Sequence, residues 1–336
     1  MNDENGVALI LTLIVTAILA VIILEFAQNV RVELEIAKNY QDKLETYAIA
    51  RSGIEFAKYA LKADDPEIDD LSEDWAKDYS KIISAVMFKN GNLKLNIIDE
   101  SSKINVNAVV LHSGTAQEKV YNTAVDNLKR LCEINNQDYK FVDALIDWID
   151  KDDQVTIFEN QKESGGAENS DYKSMAPPYI CKNAPLDTIR ELFLLKGFTE
   201  ETYFGTNENK KNEEDSLVMR VGLKDFITIY GSHQINLNTA PAEIIMALDL
   251  DLNKDIAESV INKRKEKPFN SKEELKSVTG MTNEILGRIS KSIAFKSAGF
   301  FYIHSIGTIN NISTEIYAVL RRDSKVQISV VYWQEI

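Results

Sequence analysis

Histidine and cysteine are scarce in this chain of 336 residues: three histidines, His112, His233 and His304, and two cysteines, Cys132 and Cys181. No histidine neighbours a cysteine or another histidine, so neither a zinc site nor a Ser-His-Asp triad has sequence support. Positive charge is short as well. Against 52 Asp and Glu stand 38 Lys and Arg, giving a formal charge of −14 and an isoelectric point near 4.9. That balance argues against a surface built to hold phosphates. Between Glu25 and Lys62 there is no proline and a single glycine, Gly53, so nothing there interrupts a helix.

What the chain has in abundance is one apolar run. Eighteen consecutive uncharged residues, Val7 to Leu24, follow directly on Gly6. At about 1.5 Å per residue they span roughly 27 Å, enough to cross a thin bilayer. The run is too long for the core of a secretory signal and no A-x-A site follows it, so it reads as a retained anchor. Apolar residues then recur at helical spacing from Val30 and Leu34 through Leu44 and Ile54 to Leu61. Together these stretches predict one rod of about 55 residues, roughly 80 Å long, ended by Asp64-Asp65-Pro66. Its second half is amphipathic, so one face must pack on something later in the chain.

The six residues ahead of the run, Met-Asn-Asp-Glu-Asn-Gly, are polar and end in glycine at a sharp boundary. This arrangement resembles the type IV pilin and pseudopilin class, in which a prepilin peptidase cleaves after glycine and leaves the apolar helix in place. The resemblance implies processing between Gly6 and Val7. Asp3 and Glu4 stand where the class usually has basic residues, and Val7 where Phe or Met is more usual. The fifth mature position, a glutamate in most of the class, is Leu11. A carboxylate at membrane depth costs about 2.5 to 3.5 kcal/mol and is kept only where a partner exists. Its absence suggests the end of a filament.

Within the class, Leu11 and the Gly-Val-Ala-Leu start resemble one family, the K-type minor pseudopilins of type II secretion systems. Later segments extend the resemblance in order along nearly the whole chain: Ser52–Glu55, Asp99–Asn107, Leu145–Asp150, Gly166–Glu168, Pro178-Tyr179, Asn183–Leu186 and Ile235–Pro241. The resemblance implies a protein that is not an enzyme. It implies a subunit at the tip of a periplasmic pseudopilus, initiating or capping assembly and supporting export across the outer membrane of a Gram-negative cell. It further implies a single pass through the inner membrane with the C-terminal domain in the periplasm. The partners implied are other minor pseudopilins, the major pseudopilin, the prepilin peptidase and the inner-membrane assembly platform, with no nucleic acid.

The soluble part predicts an α+β fold: the long helix packed on a small antiparallel sheet, pilin-like, interrupted by a large all-α insertion. Met87-Phe88 and Leu93–Ile98, separated by Lys89-Asn90-Gly91-Asn92, read as a β-hairpin. Strand-like text returns at Phe300–Gly307, Ile312–Arg321 and Val326–Trp333. The expected organisation is a leader at 1–6, a transmembrane helix at 7–24 and its amphipathic continuation at 25–62. A pilin-like unit follows from 63–100 and 296–336, with an inserted helical domain at 101–295.

The insertion repeats itself weakly. Lys103-Ile104-Asn105-Val106-Asn107 and Gln234-Ile235-Asn236-Leu237-Asn238 each open a helical stretch, the second with Asn238 or Thr239 placed as N-cap and Pro241 in the first turn. The second copy, running to Gly280-Met281-Thr282, looks like a tandem helix-hairpin-helix, which makes a membrane-anchored DNA receptor for DNA uptake the competing function. Charge weighs against it. Leu248–Asn253 puts Asp249 and Asp251 where phosphates would sit, and nine basic side chains between Ser232 and Ala294 are balanced by nine acidic ones.

One segment has the composition for a hard cation. Asp147, Asp150, Asp152, Asp153, Glu159, Glu163, Glu168 and Asp171 fall within 25 residues whose only counter-charges are Lys151 and Lys162. Calcium takes six to eight oxygens, although a solvated acidic loop has the same composition. The family resemblance implies calcium in the helical domain, with Asp150, Asp152, Asp153 and Glu168 as first candidates and Asp171 behind them. For Cys132 and Cys181 the sequence leaves open a disulfide in an oxidising periplasm and two buried free thiols. The mixed-charge run from Asn207 to Asp215 reads as a loop.

Overall fold

Helix α1 runs unbroken from Glu4 to Ala63 in the computed structural model, which describes residues 4–112, 118–157, 165–206, 220–323 and 327–336. Met1–Asp3, Glu159, Glu163 and the run Asn207–Asp215 lie outside the described residues. The apolar part of α1 is long and apolar enough to cross a membrane, and none of that stretch is buried inside the molecule. Its C-terminal part packs on a four-stranded antiparallel sheet made from β1 (Asn92–Asp99), β2 (Phe300–Ile309), β3 (Ile312–Arg322) and β4 (Ile328–Glu335), in that spatial order. Strands from both sides of the insertion thus form one sheet, as the sequence predicts.

Along β2 every second residue is buried, so Phe301 and Ile303 point inward with Ile316, Ala318 and Leu320 of β3. They meet Ala50, Ile54, Ala57 and Leu61, one stripe of α1 at helical spacing. The helix comes very near the sheet. A Cβ on Gly307 would lie 2.1 Å from the Thr46 carbonyl oxygen, and one on Gly53 would lie 2.2 Å from Ser305 Oγ. Ser305 instead donates to the Ala50 carbonyl at 2.7 Å, and the Thr46 and Thr314 hydroxyls meet at 2.9 Å. The one glycine between Glu25 and Lys62, Gly53, is there because the sheet is.

The expected hairpin at 87–98 is absent. Ser80–Met87 form a helix, α2, and only Asn92–Asp99 is a strand. The reason is local chemistry that the alternation of apolar residues hides. Ser84 and Ser80 accept hydrogen bonds from the Leu93 and Leu95 amides at 2.8 and 2.9 Å, so α2 covers the outer edge of β1 with hydroxyls. Ile83 is buried in a small cluster with Ile49, Leu93 and Ile309.

Between β1 and β2 lie α3 (Asn122–Ile134), α4 (Phe141–Ile149), α5 (Asn169–Lys173), α6 (Glu200–Phe204), α7 (Ala242–Ala247), α8 (Lys254–Glu266) and α9 (Asn283–Ile289). They share an apolar core that includes Leu128, Leu145, Ile244 and Phe269 and is distinct from the core beneath α1. The weak internal repeat is one of hydrogen bonding. Asn107 accepts from the Leu186 amide and donates to the carbonyls of Leu186 and Ile229. Asn238 accepts from the Phe269 amide and donates to the carbonyls of Phe269 and Phe295. Ile104 pairs in parallel with Ile227, and Ile235 with Ile293. Asn238 and Thr239 are therefore not caps. The N-cap of α7 is Pro241, and the Thr239 hydroxyl goes to Asp99.

That last bond belongs to the seam between the two cores. Asp99, at the end of β1, accepts from Asn236 Nδ2 at 2.9 Å, from Thr239 Oγ1 at 2.8 Å and from the Ser101 amide at 2.9 Å. Asp69, fully buried, accepts from the Ser297 amide at 2.9 Å and pairs with Arg322, whose other nitrogen reaches Asp64 at 2.7 Å. Arg322 also lies over the Phe301 ring. Of the described acidic clusters, the group Asp64, Asp69 and Glu73 is therefore occupied by the protein's own guanidinium.

Adding one methyl group at the helix–sheet contact tests this packing. Gly307→Ala is expected to destabilise the fold by about 1 to 3 kcal/mol, because the clash is with backbone that cannot rotate away. The urea midpoint, with an unchanged denaturant slope, reads this directly; an unaltered midpoint would mean that helix and sheet are not in close contact.

Candidate functional site

Helix α4 is buried along its whole length and carries two carboxylates one turn apart, Asp143 and Asp147. Such burial is tolerable only with partners. Asp143 takes the Lys129 ammonium at 3.0 Å and the Gly165 amide at 3.2 Å. Asp147 takes the Thr156 amide and the Ala167 amide, both at 2.8 Å. The two groups clasp both ends of the acidic loop. Loss of water pushes Asp147 up to about 6 in spite of these bonds. A Cβ on Gly166 would lie 2.5 Å from the Asp147 carboxylate, so this glycine serves close approach to α4.

Past the end of α4, side-chain oxygens of Asp150, Asp152 and Glu168 all lie within 4.8 Å of one another. Glu168 is the N-cap of α5: its Oε2 accepts from the Asn169 amide, and its own amide donates to Asp171 in a capping box. The second oxygen, Oε1, is buried without a hydrogen-bond partner. Burial first, and then the charges of Asp147, Asp153 and Asp152, push Glu168 up to about 7. Asn183, held at φ +49°, donates its Nδ2 to the Asp152 carbonyl at 3.4 Å, while its Oδ1 is buried without a partner.

Of the five acidic residues expected at the site, three are brought together and two are turned to other tasks. Asp153 accepts from Asn169 Nδ2 at 2.8 Å, and Asp171 caps α5 and meets Lys196 at 3.3 Å. Asn183 is the residue that charge counting passes over, since a neutral amide leaves no mark in an acidic run. The hard carboxylate oxygens of Asp150, Asp152 and Glu168, with Glu168 Oε1 buried and orphaned, are a donor set that fits calcium, and the Asn183 amide oxygen is orphaned as well.

The other expected positions are quickly placed. Cys132 lies inside α3 and Cys181 donates to the Asp147 carbonyl at 3.2 Å; both are free and buried, and burial pushes both thiols up to about 12. Of the two states left open by the sequence, the structure has the free thiols. Glu4–Gly6 continue the helix backbone of α1, and Val7 and Leu11 on it are exposed. In the turn between α7 and α8, Asp249 and Asp251 do not face a ligand: Arg288 of α9 binds both, with its Nε 2.6 Å from Asp249. The turn expected to resemble a helix-hairpin-helix thus carries two carboxylates bound by the chain's own arginine where a phosphate would sit.

Two family profiles for type II secretion system protein K match the chain, at residues 102–205 and 235–296. The first profile opens two residues before Ile104 and the second at Ile235, the starts of the two Ile-Asn-x-Asn segments. The type II secretion system protein K of Pseudomonas aeruginosa is 23% identical over 342 residues, covering 97% of this chain and 92% of the relative. That of Aeromonas hydrophila is 24% identical over 287 residues, covering 80% and 78%. A chain in the crystal structure of the GspK-GspI-GspJ complex from enterotoxigenic Escherichia coli is similar in fold, with a TM-score of 0.59 at 17% identity over 91% of this chain and 99% of that one. With the exposed apolar helix, the sheet drawn from both ends of the chain and the duplicated insertion, these likenesses have one reading: the chain belongs to the protein K family of type II secretion systems and is a minor pseudopilin.

Proposed function

We propose that the protein sits at the tip of the pseudopilus, anchored by one pass of α1 through the inner membrane with everything after it in the periplasm, and that it initiates or caps assembly. The observation that carries this reading is α1 itself, bare over its apolar third and packed on the sheet over its last turns. A bare apolar helix takes lipid or other apolar helices as its surroundings. Leu11 leaves that surface without a charge for a further subunit to neutralise. The insertion at 101–295 exceeds the rest of the soluble chain, and stacking copies of it at pilin spacing would bring neighbours into collision. The partners in this reading are other minor pseudopilins, as in the related GspK-GspI-GspJ complex, together with the major pseudopilin and the assembly platform. The prepilin peptidase cuts between Gly6 and Val7. No enzymatic step is assigned to the chain.

Calcium belongs to the same proposal. Asp150, Asp152 and Glu168 would hold it, with Asn183 offering its amide oxygen; the ion would supply the positive charge that the buried Glu168 oxygen lacks.

Processing is read by the mass of the membrane-extracted protein, which is expected to lack the first six residues; Gly6→Leu should leave them attached. A mature chain that still begins at Met1 would remove the basis for the assembly role.

Removing calcium is expected to lower the melting temperature, since an ion bound only by the folded state stabilises it by about 2.7 kcal/mol at a hundredfold excess over Kd. Asp152→Asn should shrink the difference between calcium and chelator. Equal melting temperatures in the two conditions would return the loop to plain solvated charge.

The pH dependence follows from Glu168. Its folded value, about 7, lies above the ordinary 4.5, so between those values the folded state keeps a proton that the unfolded chain has released. In chelator, stability is therefore expected to fall as pH rises from about 4.5 to about 7, and calcium should flatten that fall. Chemical denaturation at several pH values, with and without the ion, measures both; because Glu73 and Asp147, pushed up to about 7 and about 6, add to the slope with the same sign, a slope that calcium leaves unchanged is the result that would contradict a cation at Glu168.

A further inference from the structure

A cleft of about 690 Å³ opens between the last turns of α1 and helix α2. Its floor is a stripe of α1, with Phe56, Tyr59, Ala60 and Ala63 at i, i+3, i+4 and i+7, and Ile82 of α2 stands opposite. The two alanines leave room for another backbone to come close. The apolar side chains here are unusually exposed for a surface: Tyr59 is 71% exposed and Ile82 61%, and Val86, outside the cleft but one turn beyond Ile82 on the same side of α2, is 80% exposed. The rim has the opposite character. Asp64, Asp65, Glu73 and Asp74 line it, with Lys77 as the one basic lining residue among those described, and Lys77 is already paired with Asp74. Arg322 answers Asp64 and Asp69 from beneath, so the mouth keeps a net negative charge.

We propose that this cleft receives an amphipathic helix of another polypeptide, which lays apolar side chains against Tyr59, Ala60 and Ile82 and points a lysine or arginine at the acidic rim. A small-residue floor on α1 faced by apolar side chains of α2 suits a helix laid in a groove, and the rim selects its charge. Lipid does not fit the position: Phe56 lies roughly 48 Å along the helix from Leu24, at about 1.5 Å per residue, well outside the bilayer. The inference stands whether or not the partner is a pseudopilin, since it rests on the cleft alone.

The test places a photo-crosslinking residue at Ile82 in the full chain, in its own cell membranes, with Ser313 on the exposed side of the sheet as the comparison site. The expected result is an adduct at Ile82 whose attached peptide, identified by mass spectrometry, has apolar residues at i and i+3 or i+4 and a Lys or Arg within one turn. Its yield should drop about fivefold in the Asp65→Lys/Asp74→Lys variant, the factor that roughly 1 kcal/mol of rim charge pairing represents. Raising salt in the unaltered protein should lower it as well. A yield at Ile82 no higher than at Ser313, an adduct with lipid or with an acidic peptide, or a yield indifferent to both charge reversal and salt would each overturn the proposal.

Discussion

Two carboxylates shut away from water, Asp69 and Asp99, join the parts of this molecule. The two apolar cores are separate; besides the stacked rings of Tyr230 and Phe300, with centroids 5.8 Å apart, a set of directed hydrogen bonds joins the two parts among the described residues. Such a seam is demanding. Each buried carboxylate costs several kcal/mol of lost hydration, recovered only if its oxygens are all met. Here Asn236, Thr239 and Ser101 meet Asp99, while Arg322 and the Ser297 amide meet Asp69. Removal of one partner from such a group costs about 3 to 5 kcal/mol, whereas an apolar contact of the same size degrades gradually. The seam therefore fixes one docking of the inserted helices on the sheet unit.

The same economy of buried acids recurs one layer away. Asp143 and Asp147 on α4 hold the loop that presents Asp150, Asp152 and Glu168, so the candidate cation site hangs from the helical core by two carboxylates. At the opposite end, the helix that anchors the molecule is held to its sheet by close backbone approach at Gly53 and Gly307. Anchor, sheet, seam and loop form one chain of contacts, each made from a different physical resource: lipid-compatible surface, close packing, buried hydrogen bonds and carboxylate charge.

Much of this was legible in the sequence because periodicity and polarity are local. The apolar run, the amphipathic continuation and the three C-terminal strands are read from spacing alone, and the sheet's use of strands from both sides of the insertion follows from where they fall. The failures were tertiary. Met87-Phe88 look like strand text, but Ser80 and Ser84 aimed at the β1 edge make a helix over Ser80–Met87 the better cover. Thr239 has the chemistry of an N-cap and spends it on Asp99, 140 positions away. Asp153 and Asp171 carry the charge expected of ligands, yet an asparagine amide and a helix N-terminus claim them first. Asn183 shows no charge at all, and only its buried, orphaned oxygen marks it. The repeated Ile-Asn-x-Asn segments were visible as text, but their meaning, a pair of asparagines bridging chain segments, needed the fold.

The seam is tested most directly by amide hydrogen exchange on Asp99→Ala. Loss of the carboxylate leaves Asn236 and Thr239 without their acceptor, so exchange should accelerate at Ser101 and across 235–240, while amides in α4 and in the β2–β3 ladder keep their protection. Unchanged exchange at the seam, or loss of protection in both cores together, would contradict a junction held by that buried carboxylate.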